Sequence, residues 1–126
     1  MTRYYLAGSM AAEHLYRYRE AADQLRGRGL AVVSPLDLPP VSGGRPWSQV
    51  LRGNLRAMLD CDTVVLLRGW RDAQGANLAR DVAIKVHMPV IEYADLLATL
   101  RRGSAVDVAS VPAGGRARPG RIGGAR

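Results

Sequence analysis

The 126-residue sequence contains one cysteine, two histidines, no phenylalanine and no long apolar run. Because Cys61 is the only cysteine, the chain can form no internal disulfide and no cysteine-based metal cluster. A membrane-spanning helix needs ~18 consecutive apolar residues, and no stretch of the sequence approaches that length. The N-terminal segment MTRYYLAGSM is too short and too polar for a secretory signal peptide. We therefore expect a cytoplasmic protein with no membrane association.

The surroundings of Cys61 disfavour a reactive thiol. Cys61 lies between Asp60 and Asp62, whose negative charges would raise the pKa of a thiol instead of lowering it. We expect a small buried apolar side chain at this position. His14 and His87 show no spacing typical of metal ligands, although His14 could reach a ligand from the first helix.

The net charge of +7 is concentrated near the C-terminal end. Residues 101–126 contain six arginines and one aspartate, so this segment holds five of the seven net positive charges. After Gly103 the sequence is rich in Gly, Pro, Ala and Arg and has little to bury, which predicts a disordered basic tail. Such a tail could contact nucleic acid weakly, or it could simply remain solvated. We divide the chain into a folded domain at 1–102 and a tail at 103–126.

Short apolar runs alternate with amphipathic stretches along the predicted domain. The apolar runs predict strands at residues 3–7, 30–34, 63–67 and 89–93. The amphipathic stretches predict three helices, with these apolar faces: Leu15, Tyr18, Ala22 and Leu25; Leu51, Leu55, Met58 and Leu59; Leu78, Val82 and Val86. Residues 94–102 predict a short last helix, and the Pro- and Gly-rich residues 35–46 predict a loop.

Strands that alternate with helices are typical of a parallel sheet with right-handed crossovers. The third run, TVVLL at 63–67, is apolar throughout, as central strands covered on both faces are. The sequence therefore predicts a single doubly wound α/β domain of the Rossmann or flavodoxin type, with about four to five parallel strands.

Ligands of doubly wound sheets bind beyond the carboxyl ends of the strands. In this sequence those ends are followed by three candidate segments: Gly8, Ser9 and Met10; Asp37 within SPLD; and GWRDAQG from Gly69 to Gly75. Glycine lets a backbone approach a ligand closely, and Ser9 is a good N-terminal cap, so the first loop could bind an anion. Many doubly wound proteins make the same turn without binding phosphate.

Several other residues allow a structural as well as a functional interpretation. Trp47 and Trp70 flank long loops, where either could stack on a base or pack in the core. Asp37, Asn54 and Asp62 could contact a ligand, but each could equally be an ordinary turn or surface residue.

The ordered set of motifs YLAGSM, SPLDL, LRGNLRAMLDCDTVVLLRGW and GANLARDVAIKVHMPVI resembles the nucleoside 2-deoxyribosyltransferase superfamily. The branch it resembles most is a small domain found in phages and prophages, with motifs of the form YIAGPM and CD-V-LLPGW. The resemblance covers residues 4 to about 93. It implies a doubly wound fold, a nucleoside or nucleotide ligand, a homodimer or larger assembly and no cofactor. A phage-encoded member would lie in the host cytoplasm.

Enzymes of this superfamily cleave the N-glycosidic bond of nucleosides or nucleotides, by transfer to another base or by hydrolysis. The resemblance implies a glutamate that attacks the anomeric carbon and forms a glycosyl-enzyme, with an aspartate before the central strand assisting. A Ser or Asp early in the glycine loop contacts the sugar, and no metal is needed. A carboxylate suits this chemistry because it can both attack and stabilise an oxocarbenium-like centre.

Carried over to this sequence, the resemblance places the assisting aspartate at Asp62 and the loop glycine at Gly75. It places the sugar-contacting position at Ala73. The nucleophile falls on Ala79, which lies four residues after Gly75 and ten before Pro89. Because the two reference points agree, the sequence departs from the family pattern at its two most important catalytic positions.

Two other carboxylates are candidates to compensate for this loss. Asp81 would lie roughly 200° around the helix from Ala79 and should face away from the site. A shift of the loop could bring Asp72 to the place of Ala73, which would restore a sugar contact but no nucleophile.

Three functions remain open at this point. The first is a nucleoside- or nucleotide-binding protein whose catalysis is impaired because Ala79 replaces the nucleophile. The second is an active N-glycosidase or deoxyribosyltransferase that uses Asp62 and Asp72. The third is a phage or prophage interaction module whose tail contacts nucleic acid.

The resemblance also implies self-association, since a neighbouring subunit closes the sugar pocket in this family. The predicted last strand and helix carry apolar residues that could form an isologous interface: Val90, Ile91, Leu96 and Leu97.

Overall fold

The computed structural model describes residues 1–38 and 47–103. Four strands are found within them: β1 (Arg3–Ala7), β2 (Ala31–Val33), β3 (Thr63–Leu66) and β4 (Val90–Glu92). The same residues contain four α-helices: α1 (Tyr16–Arg26), α2 (Trp47–Leu59), α3 (Gln74–Lys85) and α4 (Tyr93–Arg101). Short 3-10 turns lie at Ala12–His14, Pro35–Asp37 and Trp70–Asp72. The tail predicted after Gly103 lies outside the described residues.

The four strands form one parallel sheet in the order β2-β1-β3-β4. The chain leaves β1 through α1 to β2 on one side and returns through α2 to β3 on the other, so the strand order reverses between β1 and β3. Helices α1 and α4 cover one face of the sheet, and α2 and α3 cover the opposite face. The predicted doubly wound α/β fold is therefore confirmed, with four strands in the described part of the chain.

Each face of the sheet has its own apolar core, because side chains alternate along a strand. In β1, Tyr4 and Leu6 pack against the α1 and α4 face, whereas Tyr5 and Ala7 pack against the α2 and α3 face. Burial of a large apolar side chain contributes ~1.5–3 kcal/mol. The strand β3 is buried at all four positions, which agrees with the prediction of a central strand.

Helix α3 turns a different side to the core from the one that the sequence predicts. Its buried residues are Ala76, Ala79 and Ala83, whereas Leu78 is 37% exposed and Val86 is 50% exposed. Three alanines in a row along one side let the helix approach the sheet closely. The predicted helix is confirmed, but its predicted apolar face is wrong.

The connections also differ in detail from the prediction. The helix α1 does not begin directly after Ser9, because the 3-10 turn Ala12–His14 precedes it. Tyr93, predicted as the end of a strand, is the first residue of α4. Among the described residues, none of these helices has both the length and the apolar character that crossing a membrane requires.

The apolar residues predicted for a dimer interface are largely used inside the domain. Ile91 is 6% exposed and Leu96 is fully buried, and both belong to the core between the sheet and α4. They are therefore not available to a second subunit, which corrects that part of the prediction. Val90 and Leu97 are partly buried, and self-association stays a prediction.

Candidate functional site

A narrow cleft lies at the carboxyl edge of the sheet, where the strand order reverses. Ala7, at the end of β1, and the following Gly8 form the floor of the cleft. Residues of α2 and α3 form its walls. Doubly wound parallel sheets bind their ligands at this position. Where the strand order reverses, the loops after two neighbouring strands lead to opposite faces of the sheet and leave a crevice between them. The geometry of this cleft is therefore the basis for any functional argument.

Gly8 allows the ends of β1 and β3 to lie side by side. A Cβ atom at this position would come within 2.9 Å of the Cβ of Leu67, closer than two carbon atoms can approach. The amide of Gly8 donates to the phenol oxygen of Tyr18 at 3.0 Å. Because this amide already has a partner inside the protein, it is not a free donor for an anion.

Three residues of α2 line the cleft at helical spacing: Trp47, Leu51 and Asn54. Trp47 is the first residue of the helix and is 48% exposed. Its ring lies against the first turn of α3, where a Cβ at Gly75 would be 3.5 Å from Cζ2 of Trp47. The indole ring thus covers one end of the cleft and keeps much of its surface in solvent.

The polar groups of the cleft are neutral at physiological pH. Burial raises the pKa of Tyr18 to about 12, against a smaller lowering effect of its hydrogen bond with Gly8. Burial also raises the pKa of Tyr5 well above its usual value. Asn54 adds an amide that can both donate and accept hydrogen bonds. Within residues 1–38 and 47–103, no Asp or Glu lines this cleft.

The cleft is closed in the described conformation. Its cavity volume is about 30 Å³, which is room for one or two water molecules. Pockets for small organic ligands have volumes of about 300–1,000 Å³. A ligand of nucleoside size therefore does not fit the cleft unless its walls move apart.

The structure brings together four of the residues that the sequence nominates for the site. Gly8, Met10, Gly75 and Ala79 all line the cleft, although they come from segments far apart in the chain. Ala79 is 5% exposed and is covered by the neighbouring apolar side chains. Ala79, the position that the resemblance gives to the nucleophile, thus faces the cleft. Its side chain is only a methyl group.

Ser9 and His14 are engaged with each other beside the cleft and do not line it. The hydroxyl of Ser9 accepts a hydrogen bond from the amide of Ala11 at 3.2 Å and lies 2.9 Å from Nδ1 of His14. These contacts hold the 3-10 turn that precedes α1. Among the described contacts, the hydroxyl and the imidazole therefore have a structural role.

Asp62 lies at the opposite edge of the sheet from the cleft. It precedes β3, and its carboxylate accepts a hydrogen bond from the amide of Arg3, at the start of β1, at 2.8 Å. The length of β3 separates it from the carboxyl edge by roughly 15 Å, at ~3.3 Å per residue. The resemblance implies that Asp62 assists a group at the position of Ala79, which requires the two residues to lie close together. The structure does not support this role, since a residue before a parallel strand lies at the amino edge.

The other nominated carboxylates also lie outside the cleft. Asp72 is exposed in the 3-10 turn that follows Gly69. Asp81 is exposed on α3 and lies 3.7 Å from the guanidinium of Arg80. Asp37 is held by Arg26 in an ion pair of 2.7 Å, so it ties the loop after β2 to the end of α1.

The loop between β3 and α3 is organised by its own contacts. Gly69 has φ of +85°, a left-handed conformation that favours glycine. The side-chain amide of Asn77 lies within 2.9–3.2 Å of the carbonyl oxygens of Trp70, Arg71 and Ala73. Asn77 thus fixes this loop onto the first turn of α3, and the loop does not need a ligand to hold its shape.

Trp70 and Ala73 pack in the core on the α3 side of the sheet and do not line the cleft. Trp70 is 8% exposed, and its ring lies beneath the guanidinium groups of Arg71 at 4.8 Å and Arg80 at 5.5 Å. Its indole nitrogen is buried and has no hydrogen-bond partner within the described residues. Of the two tryptophans, Trp47 is therefore the one placed to meet a ligand.

Cys61 is 7% exposed, and burial raises the pKa of its thiol. Its sulfur donates to the carbonyl of Ala57 at 3.4 Å. Within the described ranges, no group of three or more His, Cys, Asp and Glu side chains is arranged to hold a metal ion.

Sequence reasoning did not select several residues that line the cleft, among them Tyr5, Tyr18, Pro35 and Leu51. For Trp47 and Asn54, the sequence allows both a structural and a ligand-contacting role. The spacing of Trp47, Leu51 and Asn54 on one side of α2 was the available signal, because a helix that packs beside a sheet edge directs one face toward it. Tyr18 gave no such signal, since its spacing on α1 matches an ordinary core residue.

The fold and the cleft define a doubly wound α/β domain with a neutral, aromatic-lined site at the switch point of the sheet. The chain belongs to the family described as "Domain of unknown function (DUF4406)", which matches residues 2–92.

Among solved structures, the fold is similar to a 2-deoxyribosyltransferase from the psychrotolerant bacterium Bacillus psychrosaccharolyticus, with a TM-score of 0.60 and 23% sequence identity. The similarity covers 72% of this chain and 71% of that protein. A search of curated proteins found no match.

Proposed function

We propose that this protein binds a nucleoside or nucleotide in the cleft and does not cleave it by covalent catalysis. The observation that carries this proposal is the composition of the cleft, which combines the half-exposed ring of Trp47 with neutral polar groups and no carboxylate. The similarity of fold to a 2-deoxyribosyltransferase supports a nucleoside as the ligand class.

The residues of the cleft suit the separate parts of such a ligand. The indole ring of Trp47 offers a flat surface on which a base stacks, and an aromatic stacking contact contributes ~1–3 kcal/mol per base. Asn54 can donate to and accept from the edge of a base or a sugar hydroxyl. Gly75 and Ala79 take up little space in the lining, because neither has a side chain larger than a methyl group, so the ligand lies against them once the cleft opens.

The positions of the acidic residues in the described ranges support the proposed lack of a nucleophile. The chain has eleven Asp and Glu residues, and ten of them lie within residues 1–38 and 47–103. None of those ten lines the cleft. The remaining one, Asp107, lies outside the described residues. Loss of a covalent nucleophile lowers a rate by several powers of ten, at ~1.4 kcal/mol per tenfold.

The alternative of an active N-glycosidase that pairs Asp62 with Asp72 receives no support from the geometry. Asp62 lies at the amino edge of the sheet and Asp72 follows the carboxyl edge, so the length of β3 separates them. Two carboxylates that act on one glycosidic bond lie within ~10 Å of each other. The alternative of an interaction module depends on the tail, which is outside the described residues.

Tryptophan fluorescence tests the proposal directly. The substitution Trp70→Phe leaves Trp47 as the only tryptophan, so any change in emission reports on the cleft. We expect at least one nucleoside, deoxynucleoside or nucleotide to quench this emission saturably, and titration calorimetry to give the same affinity on the wild-type protein. Chromatography of the same mixtures should show no free base.

Two substitutions on α2 form a matched pair for this test. Asn54→Ala removes an amide from the cleft, and Gln49→Ala removes one from an exposed position of the same helix. We expect the first to weaken ligand binding by about tenfold and the second to leave it within a factor of two. Equal effects of both variants, or no binding of any common nucleoside or nucleotide, would overturn the proposal. Release of free base by the wild type would favour an enzyme.

A further inference from the structure

A second cavity lies on the other face of the sheet, between α1 and α4. Its volume is about 550 Å³, within the ~300–1,000 Å³ typical of small-ligand sites. Leu66 and Leu67, at the end of β3, form its floor. We call it the Arg17–Arg68 groove after the two cations that converge on its rim.

The side chains of Arg17 and Arg68 meet at one neutral residue. Nε of Arg17 donates to the phenol oxygen of Tyr16 at 3.5 Å, and a terminal nitrogen of Arg68 donates to the same oxygen at 3.3 Å. Arg17 also donates to the backbone carbonyl of Arg68 at 3.0 Å. Two guanidinium groups are thus held close together by uncharged acceptors, which do not neutralise them.

Within the described residues, no carboxylate forms an ion pair with either of these two cations. The ion pairs found there join Arg26 to Asp37, Arg71 to Glu92 and Arg80 to Asp81. Neither Arg17 nor Arg68 takes part in an ion pair. Their two positively charged guanidinium groups contact the same phenol oxygen and therefore repel each other. An anion that reached both guanidinium groups would offset this repulsion.

The rest of the groove has mixed character. Arg101 adds a third cation, whereas Glu20 and Glu92 contribute two negative charges on the same lining. Tyr93 and Leu97 provide aromatic and apolar surface along α4. The groove therefore offers one concentrated positive region beside an apolar wall, and the two glutamates disfavour a ligand with negative charge at both ends.

We propose that the Arg17–Arg68 groove binds a small phosphate monoester with an apolar or aromatic body. The phosphate lies between the guanidinium groups of Arg17 and Arg68, and the body lies on Tyr93 and Leu97. Guanidinium groups match phosphate oxygens in planar, paired hydrogen bonds, which are stronger than those to neutral acceptors. This site is separate from the cleft, since it lies on the opposite face of the sheet and contains no tryptophan.

Titration calorimetry of the full chain with phenyl phosphate tests this proposal. We expect saturable binding that weakens with salt, weaker binding of inorganic phosphate, and no binding of phenol at the same concentrations. Arg17→Gln and Arg68→Gln should each weaken phenyl phosphate by about tenfold or more. Arg19→Gln removes the same charge from an exposed position of α1 outside the groove and should change binding by less than a factor of two.

A spectroscopic readout distinguishes site binding from general charge attraction. The hydrogen bond from Arg17, with smaller contributions from the charges of Arg17 and Arg68, lowers the pKa of Tyr16. A phosphate that recruits both guanidinium groups should raise the pKa of Tyr16 toward its usual value. The change is measured as phenolate absorbance during an alkaline titration, and Tyr16→Phe removes the signal.

The possible outcomes separate this proposal from its rivals and from the proposed function. Absence of phenyl phosphate binding, or equal losses in Arg19→Gln and Arg68→Gln, would overturn it. Self-association that is weakened by Arg68→Gln, without any phenyl phosphate binding, would assign the groove to a second copy of the chain and would also overturn it. Because Trp47 lies on the other face, quenching of Trp47 by nucleosides should be unchanged by phenyl phosphate, so either proposal can fail alone.

Discussion

The phenol oxygen of Tyr18 accepts the amide hydrogen of Gly8 at 3.0 Å. This bond joins α1 to the loop after β1, directly at the floor of the cleft. Tyr18 is 1% exposed, so its hydroxyl and the amide of Gly8 satisfy each other where water does not reach freely. The stability of the domain and the shape of the cleft therefore depend on the same contact.

We expect stability to fall in strongly alkaline solution because of Tyr18 and of Tyr5, whose pKa burial also raises. Burial raises the pKa of folded Tyr18 from 10.0 to about 12, so above pH 10 the unfolded chain loses the proton first and unfolding becomes more favourable. The stabilisation is complete below pH 10 and declines as the pH rises through the folded pKa, by up to about 3 kcal/mol at ~1.4 kcal/mol per unit. Urea unfolding between pH 7 and pH 12 measures the effect.

The substitution Tyr18→Phe separates the hydroxyl from the ring. It should lower stability at pH 7 by about 1–3 kcal/mol, because the amide of Gly8 is left unpaired. Its stability should then fall less steeply than that of the wild type above pH 10. Tyr16→Phe, at an exposed position, is the control and should show little change at pH 7. A wild-type alkaline profile retained in Tyr18→Phe would contradict the assignment.

Two glycine substitutions should have opposite effects on stability. Gly8→Ala places a Cβ 2.9 Å from Cβ of Leu67, so we expect destabilisation of about 1–3 kcal/mol by overpacking. Gly53→Ala places a Cβ in open space within α2 and should stabilise the domain by about 0.5–1 kcal/mol, because alanine is the better helix former. Thermal and urea unfolding of both variants measure these changes in stability. If Gly8→Ala leaves stability unchanged, β1 and β3 can separate at their ends.

Placing a carboxylate at position 79 tests whether the cleft lacks only its nucleophile. Ala79 is 5% exposed, so burial should raise the pKa of the new carboxyl in Ala79→Glu. A folded pKa above the unfolded one means that the variant is relatively more stable at pH 4 and loses that contribution as the pH rises. The overall cost in stability should be roughly 1–3 kcal/mol. Intact-protein mass spectrometry after incubation with nucleosides would detect a glycosyl adduct, which we expect to form slowly.

Ala79→Gln is the matched control, with the same size and no charge. It should form no adduct and should show no acid-dependent gain in stability. If the wild type cleaves nucleosides as fast as Ala79→Glu, or if the glutamine variant forms the same adduct, the protein is an enzyme with a different catalytic arrangement.

The turn after α3 contains a residue in an unfavourable conformation. His87 has φ of +62°, and the amides of His87 and Met88 donate to the carbonyls of Ile84 and Ala83 at 3.1 and 2.8 Å. Residues other than glycine pay about 1–2 kcal/mol for this left-handed conformation. We expect His87→Gly to raise the free energy of unfolding by about 0.5–1 kcal/mol. His87→Ala should not, since alanine keeps the steric penalty, and a gain of equal size in both variants would argue against this explanation.

The sequence was sufficient to predict the class of fold, because that depends on patterns within short segments. The apolar run TVVLL and the alternation of strands and helices follow from local periodicity, and the structure confirms both. The side of α3 that is buried was not predictable in the same way. Ala76, Ala79 and Ala83 are less apolar than Leu78 and Val86, and they face the core only because the helix lies close to the sheet.

The position of Asp62 shows where sequence proximity misleads. Asp62 directly precedes the central strand β3. Because β3 runs toward the cleft, a residue before it lies at the end of the sheet away from the cleft. The contact of Gly8 with Trp47, Gly75 and Ala79 cannot be inferred from the position of a single strand. Gly8 follows β1, Trp47 lies on α2, and Gly75 and Ala79 lie on α3, so their contact depends on how the helices pack over the sheet.

The doubly wound fold and the lack of a carboxylate at position 79 can be read from residue types and their local spacing. That none of the other described carboxylates lines the cleft instead is visible only in the folded domain, because it depends on the packing of segments that are distant in the chain. The same holds for Arg17 and Arg68, which are 51 positions apart and meet only where α1 crosses the end of β3. Secondary structure follows from the pattern of neighbouring residues in the sequence. Which residues meet at a site depends on the tertiary packing of segments that are far apart in the chain.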